Sequence, residues 1–311
     1  MIPAMKWDKL ENWIVDNAIG AYKVMTPLSL YTSWRIGGPA RMMVWPEDEE
    51  KIAALWRHCN REGYPVRILG AGTNLLVADE GVEALVINTR GLDHMEWNEG
   101  SAGADAAAVF AGAGLPLSRL AGEAARRGLR GLEFAAGIPG SFGGALVMNA
   151  GAFEGQISDL VEYVRCMDGD GRIHVLDSQE AVFGYRVSGL KTAGMLIVGG
   201  GLRLVHGNEE KIQLLMKEYL TLRQEKQPLD LPSGGSVFRN PTGDGAGRYI
   251  DRAGLKGLRE GDAQISPLHA NFIVNLGGAK ASDVRTLMDA AKDEVLARFG
   301  VRLESEIVYW G

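Results

Sequence analysis

The sequence predicts an α+β protein built from more than one compact unit, and three observations carry that expectation. A chain of 311 residues exceeds what one hydrophobic core usually organises, because surface-to-volume scaling divides chains of this size into domains. Short apolar runs such as 66–69, 161–167 and 195–205 alternate with stretches whose apolar residues recur at helical spacing, such as 117–127 and 282–299. The 42 glycines run well above the roughly 7% average and gather in clusters without a fixed period, which marks loops built for close backbone approach.

Taken in order, residues 1–25 form an N-terminal segment whose first 21 residues have amphipathic helical spacing. A first unit, 26–90, begins with a turn carrying Arg35, Gly37, Gly38 and Pro39; its strand at 66–69 ends in Gly70-Ala71-Gly72-Thr73-Asn74, and apolar runs at 75–77 and 85–87 follow. A second unit, 91–205, contains the helix 117–127 closed by Gly128, then a hairpin of 161–167 and 172–176 around Asp168-Gly169-Asp170-Gly171. Asp177 with Glu180 suggests a short capped helix, and the strand 195–205 is expected to break at Gly199, Gly200 and Gly201.

A third unit, 206–311, starts with a helix capped by Asn208, striped by Ile212, Leu215, Met216, Tyr219 and Leu220, and ending near Lys226. Pro228 and Pro232 then break the chain, and 233–261 has no helical periodicity, so it reads as binding loop and short strands. A strand at 270–276, a helix capped by Ser282 and ended by Gly300, and a strand at 301–309 complete the unit. Alternation in that last strand puts Glu304 and Glu306 on one face.

Composition narrows the function classes. The hydrophobic 46% and charged 23% are those of a globular protein, and a formal charge of −6 leaves no global field for nucleic acid or an anionic membrane. No run approaches the roughly 18 apolar residues of a membrane helix. The first 13 residues interleave Lys6, Asp8, Lys9 and Glu11 with apolar side chains, unlike a signal peptide, so a cytoplasmic location is expected. Two cysteines, Cys59 and Cys166, are too few for a disulfide framework or a four-thiolate zinc site, and no metal is expected.

Residues 131–151 are too glycine-rich for a regular element. Successive N–H groups in such turns form concave anion sites, a pyrophosphate being the natural guest, although glycine density alone fits a structural loop equally well. The spacing G-x-G-x-x-G is absent, and Gly70-Ala71-Gly72 lacks the helix and distal acid of a dinucleotide-binding Rossmann unit. On composition alone Ser236 is a turn residue after Gly234-Gly235, Arg186 a solvated arginine, Arg223 and Lys226 cations at a helix C-terminus, and His269 a structural or exposed histidine.

Seven motifs in one order change that weighting. Arg35-Ile36-Gly37-Gly38-Pro39-Ala40, the run from Leu69 through Gly70, Ala71, Gly72, Thr73 and Asn74 to Leu75 and Leu76, and Gly137-Ile138-Pro139-Gly140-Ser141-Phe142-Gly143-Gly144 with Met148-Asn149-Ala150-Gly151 resemble the FAD-contacting motifs of the UDP-N-acetylenolpyruvoylglucosamine reductase (MurB) family. Tyr185-Arg186-Val187-Ser188, the run from Gly235 and Ser236 to Asn240 and Pro241, His269-Ala270-Asn271 and Leu303-Glu304-Ser305-Glu306-Ile307 resemble its substrate and catalytic motifs. The resemblance implies a flavoprotein of the vanillyl-alcohol-oxidase (PCMH) type, with non-covalent FAD between two N-terminal subdomains and a C-terminal α/β domain closing over substrate. It implies NADPH-dependent reduction of UDP-N-acetylglucosamine enolpyruvate to UDP-N-acetylmuramate, for peptidoglycan. It further implies Arg186 and Glu306 at the substrate carboxylate, Ser236 as proton donor to C2, and Tyr185, Arg223, Lys226, Asn240 and His269 as substrate contacts.

Ser305 stands where the family usually has proline, and Thr73 where it has serine. Only six residues separate Ser188 from Met195, so the chain is similar to the shorter family type, without the insert that folds a tyrosine over substrate. Two other readings compete. An alcohol or lactone oxidase on the same scaffold commonly attaches its flavin through histidine or cysteine, and neither occurs in 137–151. A flavin-binding regulatory module would have no use for Arg186, Ser236 and Glu306 together.

Overall fold

A computed structural model describes residues 7–98, 105–191 and 194–311, so the first six residues of the expected N-terminal helix lie outside it. The chain forms two compact units, each discontinuous in sequence: one from Met1–Met25, Arg41–Ala71 and Glu83–Tyr219, the other from Thr26–Ala40, Gly72–Val82 and Leu220–Gly311.

In the first unit the helix Trp7–Asp16 is followed directly by the strand Gly20–Pro27, so the expected N-terminal helix is shorter than its amphipathic spacing. That strand opens a four-stranded sheet, continued in order by Pro39–Pro46, Val82–Asn88 and Val66–Leu69. The last two pair in parallel. The helix Glu49–Glu62 is capped by Asp48, whose side chain accepts from Lys51 N at 2.8 Å, and buries Ile52, Leu55 and Cys59. Leu55 and Cys59 share a core with Trp7, Leu10 and Ile14 of the first helix and Leu85 and Ile87 of the sheet. Burial in apolar surroundings pushes the Cys59 thiol up to about 12 and that of Cys166 to about 11, so both free cysteines are core residues rather than nucleophiles.

A six-stranded antiparallel sheet forms the rest of this unit, in the order Ile173–Asp177, Val161–Met167, Leu196–His206, Ala106–Gly112, Met95–Asn98, with Leu129–Arg130 pairing the far end of Leu196–His206. The helix Leu117–Arg126 packs Leu117, Leu120, Ala121 and Ala124 into its core. The strand Leu196–His206 is not interrupted at its three glycines. Their role is spatial: a Cβ on Gly199 would lie 2.5 Å from Phe110 Cζ, and one on Gly201 2.2 Å from Tyr163 Cε1, so bare backbone makes room for rings on both neighbouring strands. Asp177 and Glu180 make the reciprocal bonds of a capping box, at 2.9 Å each, but around a turn rather than a helix. The chain reverses there to bury Ala181, whose carbonyl accepts from Gly189 N. In the helix Glu209–Lys226, Asn208 is the cap as expected, while Leu220 is 40% exposed and falls off the apolar stripe.

The second unit has a three-stranded antiparallel sheet, Arg259–Glu260, Ala263–Ile265 and Ile273–Asn275, covered by the helix Ala281–Phe299. A helix at Ala246–Arg252 replaces part of the expected loop; Ala246 and Ile250 are its buried residues, too few apolar positions to register as periodicity. Trp34 is fully buried, donates Nε1–H to Ile273 O at 2.7 Å, and accepts at its own carbonyl from Asn275 Nδ2 at 2.9 Å, which anchors the loop leading to Arg35. The strand Leu75–Val77 pairs in parallel with Val308–Trp310. Only those last residues are strand; within 301–307 the pairing reduces to one antiparallel bridge, Phe238 to Ser305.

Ser282 does not cap the helix Ala281–Phe299. Asp79 does so from a distant loop, accepting from Ala281 N at 2.7 Å and Ser282 N at 3.1 Å. A carboxylate over two otherwise unsatisfied amides also complements the helix dipole. Asp79→Ala is expected to cost about 1–2 kcal/mol, read as a lower thermal midpoint with unchanged flavin content.

Candidate active site

The first unit brings together the glycine turns of two cofactor motifs. Gly70, immediately after the strand Val66–Leu69, touches Ser141 so closely that a Cβ there would stand 2.3 Å from Ser141 Oγ. Ser141 begins the helix Phe142–Met148, its Oγ accepting from Gly144 N at 3.3 Å. The amides of Phe142 and Gly143 are already committed, at 2.8 Å each, to Leu115 O and Ala113 O. Anion-binding capacity therefore sits earlier in the run than glycine density suggests. Among the described residues, the N–H groups of Gly137, Gly140 and Ser141 make no hydrogen bond within the chain. Two closely packed turns with uncommitted amides fit a pyrophosphate-bearing cofactor.

After that helix, Asn149 takes a left-handed conformation, φ 42°, and is 1% exposed. Its side chain is spent on the fold, donating to Gln156 Oε1 and Gly184 O and accepting from Ser158 N at 3.1 Å. Tyr185 and Arg186 form the two-residue turn of a hairpin between Phe183–Gly184 and Val187–Ser188. Arg186 has φ 56°, where a non-glycine residue is strained by on the order of 1 kcal/mol. Its Nη2 donates to Gly151 O at 2.6 Å, which ties the arginine to the Asn149-Ala150-Gly151 segment, and its guanidinium lies 5.4 Å from the exposed Tyr185 ring.

Ser236 and Glu306 belong to the second unit, on neighbouring extended segments. The Phe238–Ser305 bridge sets the register, Arg239 N donates to Glu304 O at 2.9 Å, and Glu306 N donates to Val237 O at 2.8 Å. Ser236 and Glu306 thus sit within a residue of each other in register. The Ser236 hydroxyl makes no hydrogen bond among the described residues. Glu304, the other carboxylate of this segment, is 76% exposed at its side chain and faces Arg239 at 3.9 Å.

The glycine turn leads into this same arrangement through Asn74, whose Nδ2 donates to Glu306 O at 3.1 Å and whose carbonyl accepts from Val308 N at 3.0 Å. Arg35, also at positive φ (56°), lines a shallow hollow with Ser29, Leu30 and Thr32. Asn240 Oδ1 accepts from Ala246 N at 3.0 Å, at the start of Ala246–Arg252. Arg223 is buried near the end of its helix and Lys226 is exposed. His269 is partly buried and accepts from Asn271 N at 3.3 Å; burial, reinforced by the charge of Lys256, lowers its pKa, while a hydrogen bond to its own backbone acts the other way.

One residue that the sequence reading left without a role stands out. Asn271, 3% exposed, receives Phe238 N at its Oδ1 (2.9 Å), donates Nδ2 to Phe238 O (2.8 Å) and accepts Val237 N at its own carbonyl (2.8 Å). The available signal was an asparagine inside an apolar run, a burial that is costly unless both ends of the amide are bonded.

The model of the FAD binding domain matches residues 40–177. With the mixed sheets and the paired glycine turns, this defines an FAD-dependent oxidoreductase. The model of the UDP-N-acetylenolpyruvoylglucosamine reductase C-terminal domain matches residues 227–310. UDP-N-acetylenolpyruvoylglucosamine reductase of Heliobacterium modesticaldum is 44% identical over 289 residues, 93% of this chain and 90% of that one. A second relative, UDP-N-acetylenolpyruvoylglucosamine reductase 2 of Symbiobacterium thermophilum, is 45% identical over 94% of this chain and 93% of its own. The crystal structure of the Thermus caldophilus reductase superposes with a TM-score of 0.78 at 39% identity, covering 94% of this chain and 98% of that one. The chain belongs to the UDP-N-acetylenolpyruvoylglucosamine reductase family.

A methyl group at residue 70 would have to displace the Ser141 hydroxyl, which caps the following helix. Gly70→Ala is expected to lower flavin retention at least tenfold, measured as the ratio of flavin to protein absorbance after gel filtration. Retention equal to wild type would remove this contact from the cofactor cradle.

Proposed function

We propose that this chain reduces the enolpyruvyl ether of UDP-N-acetylglucosamine to the lactyl ether of UDP-N-acetylmuramate, with NADPH as electron donor and non-covalently bound FAD. When bound, FAD would supply two-electron chemistry linking NADPH oxidation to hydride addition at C3 of the enolpyruvyl group. The chain's residues manage the charge and the proton that this leaves behind. The pyrophosphate of the cofactor is assigned to Gly70, Ala71, Gly137, Gly140 and Ser141, with Arg35, Ile36 and Gly37 as the remaining motif.

Hydride addition at C3 leaves electron density at C2, delocalised onto the carboxylate. Arg186 binds that carboxylate, since a forked cationic donor matches two planar oxygens and stabilises charge as it grows. Glu306 assists the shift at the same end. Ser236 donates the proton to C2, so one hydride and one proton convert CH2=C to CH3–CH and the balance closes. Its uncommitted hydroxyl, on a backbone held from both sides, is the observation that carries this assignment. A general acid must reach the reacting carbon with its proton not already given to a neighbour.

Tyr185, Arg223, Lys226, Asn240 and His269 are assigned to the remainder of the UDP-sugar, Lys226 as the exposed cation for phosphate and Asn240 through the amide nitrogen that its capping oxygen leaves available. Both substrates are cytoplasmic metabolites, which sets the compartment of the proposed activity. No helix among the described residues is long and apolar enough to cross a membrane.

The test is NADPH oxidation followed with and without the UDP-enolpyruvyl sugar. The holoenzyme is expected to turn over only when the sugar is present. In Ser236→Ala, flavin reduction by NADPH should stay within about twofold while reoxidation by the sugar slows by at least the 100-fold typical of a lost general acid. Equal slowing of both half-reactions would take the proton-donor role from Ser236.

A further inference from the structure

The Ser236 and Glu306 segments share little regular secondary structure, yet their positions relative to each other are tightly specified. Phe238 shows how. On one side its segment pairs with residues 304–306 through backbone bonds. On the other, the side chain of a single residue takes the place of a strand: Asn271 offers an acceptor to Phe238 N and a donor to Phe238 O, as a neighbouring peptide group would. His269 Nδ1 accepts from Asn271 N and so steadies the residue that makes the mimicry. The Glu306 segment has a corresponding holder, because Asn74 donates its amide to Glu306 O and accepts Val308 N.

We propose that Asn271 and Asn74 are positioning residues for the proton-transfer step, their side-chain amides holding the two paired segments at Phe238 and at Glu306 so that the Ser236 hydroxyl is kept in a fixed place. The inference rests on the reading that Ser236 protonates C2. Asn271 carries the larger share, being buried and holding both backbone polar groups of Phe238, two residues from Ser236. Removing it leaves Phe238 N and O unsatisfied in an apolar core with Val237, Ile250 and Ile273, and the local chain must shift to find partners.

A structural role alone and a positioning role differ in their coupling to Ser236. Stopped-flow flavin absorbance on the holoenzyme separates reduction by NADPH from reoxidation by the UDP-enolpyruvyl sugar. In Asn271→Ala, reoxidation at saturating sugar should slow ten- to a hundredfold while reduction stays within about twofold. In a Ser236→Ala background the same Asn271→Ala change should slow reoxidation less than threefold, since the group it positions is already gone. Asn271→Asp supplies a second readout if the alanine variant does not fold. Its carboxylate cannot donate to Phe238 O, but its protonated form can, and burial raises a carboxyl pKa, so reoxidation should recover as pH falls from 8 to 6 while wild type does not gain. Equal penalties in the two backgrounds, or no recovery by the aspartate variant at low pH, would overturn the proposal. A wild-type enzyme inert toward the UDP-sugar would instead sink the functional reading itself.

Discussion

A buried peptide group must be bonded, and in this protein the segments proposed to carry the chemistry cannot meet that demand with regular sheet. Among the described residues, 236–239 and 304–307 have one bridge between them and no ladder on either flank. Leaving one buried amide or carbonyl unsatisfied costs on the order of 1–3 kcal/mol. The second unit meets the demand with side-chain amides from Asn271 and Asn74, and the extended chain is as determined in position as a strand would be while its side chains stay available to a ligand. The arrangement of Trp34 is the same device run in reverse, an indole donor and an asparagine anchoring an irregular loop against the sheet.

Close approach is the matching constraint in the first unit. Gly70 against Ser141, and the glycines of Leu196–His206 against Phe110 and Tyr163, are places where backbone meets a neighbouring side chain that a methyl group would displace. The glycine count in the sequence thus has two different sources. Some glycines shape turns whose amides remain uncommitted, and others make room for rings inside a sheet. Composition could not separate the two, which is why an unbroken strand reads in the sequence as an interrupted one.

Elements with strong local signals were legible in the sequence. The stripe of Leu117, Leu120, Ala121 and Ala124, the Asn208 cap and the hairpin around Asp168-Gly169-Asp170-Gly171 each rest on residues near in sequence. What escaped depends on distant partners. Asp79 caps a helix that begins two hundred residues later, Asn271 substitutes for a strand it does not belong to, and 301–307 buries Leu303 and Ile307 without being a strand. In the candidate site, residue types and order were readable from motifs. The strained φ of Arg186 and its hold on Gly151 O are products of tertiary geometry that no local pattern encodes.

The parallel pairing of Leu75–Val77 with Val308–Trp310 bears on synthesis. A ribosome delivers the strand after the glycine turn long before its partner exists, so that strand waits with an open edge while the intervening chain is made. Unpaired apolar edges invite association with other chains, and Leu75, Leu76 and Val77 are all apolar and buried in the finished fold. The second unit therefore cannot complete this pairing until residues 308–310 have been made.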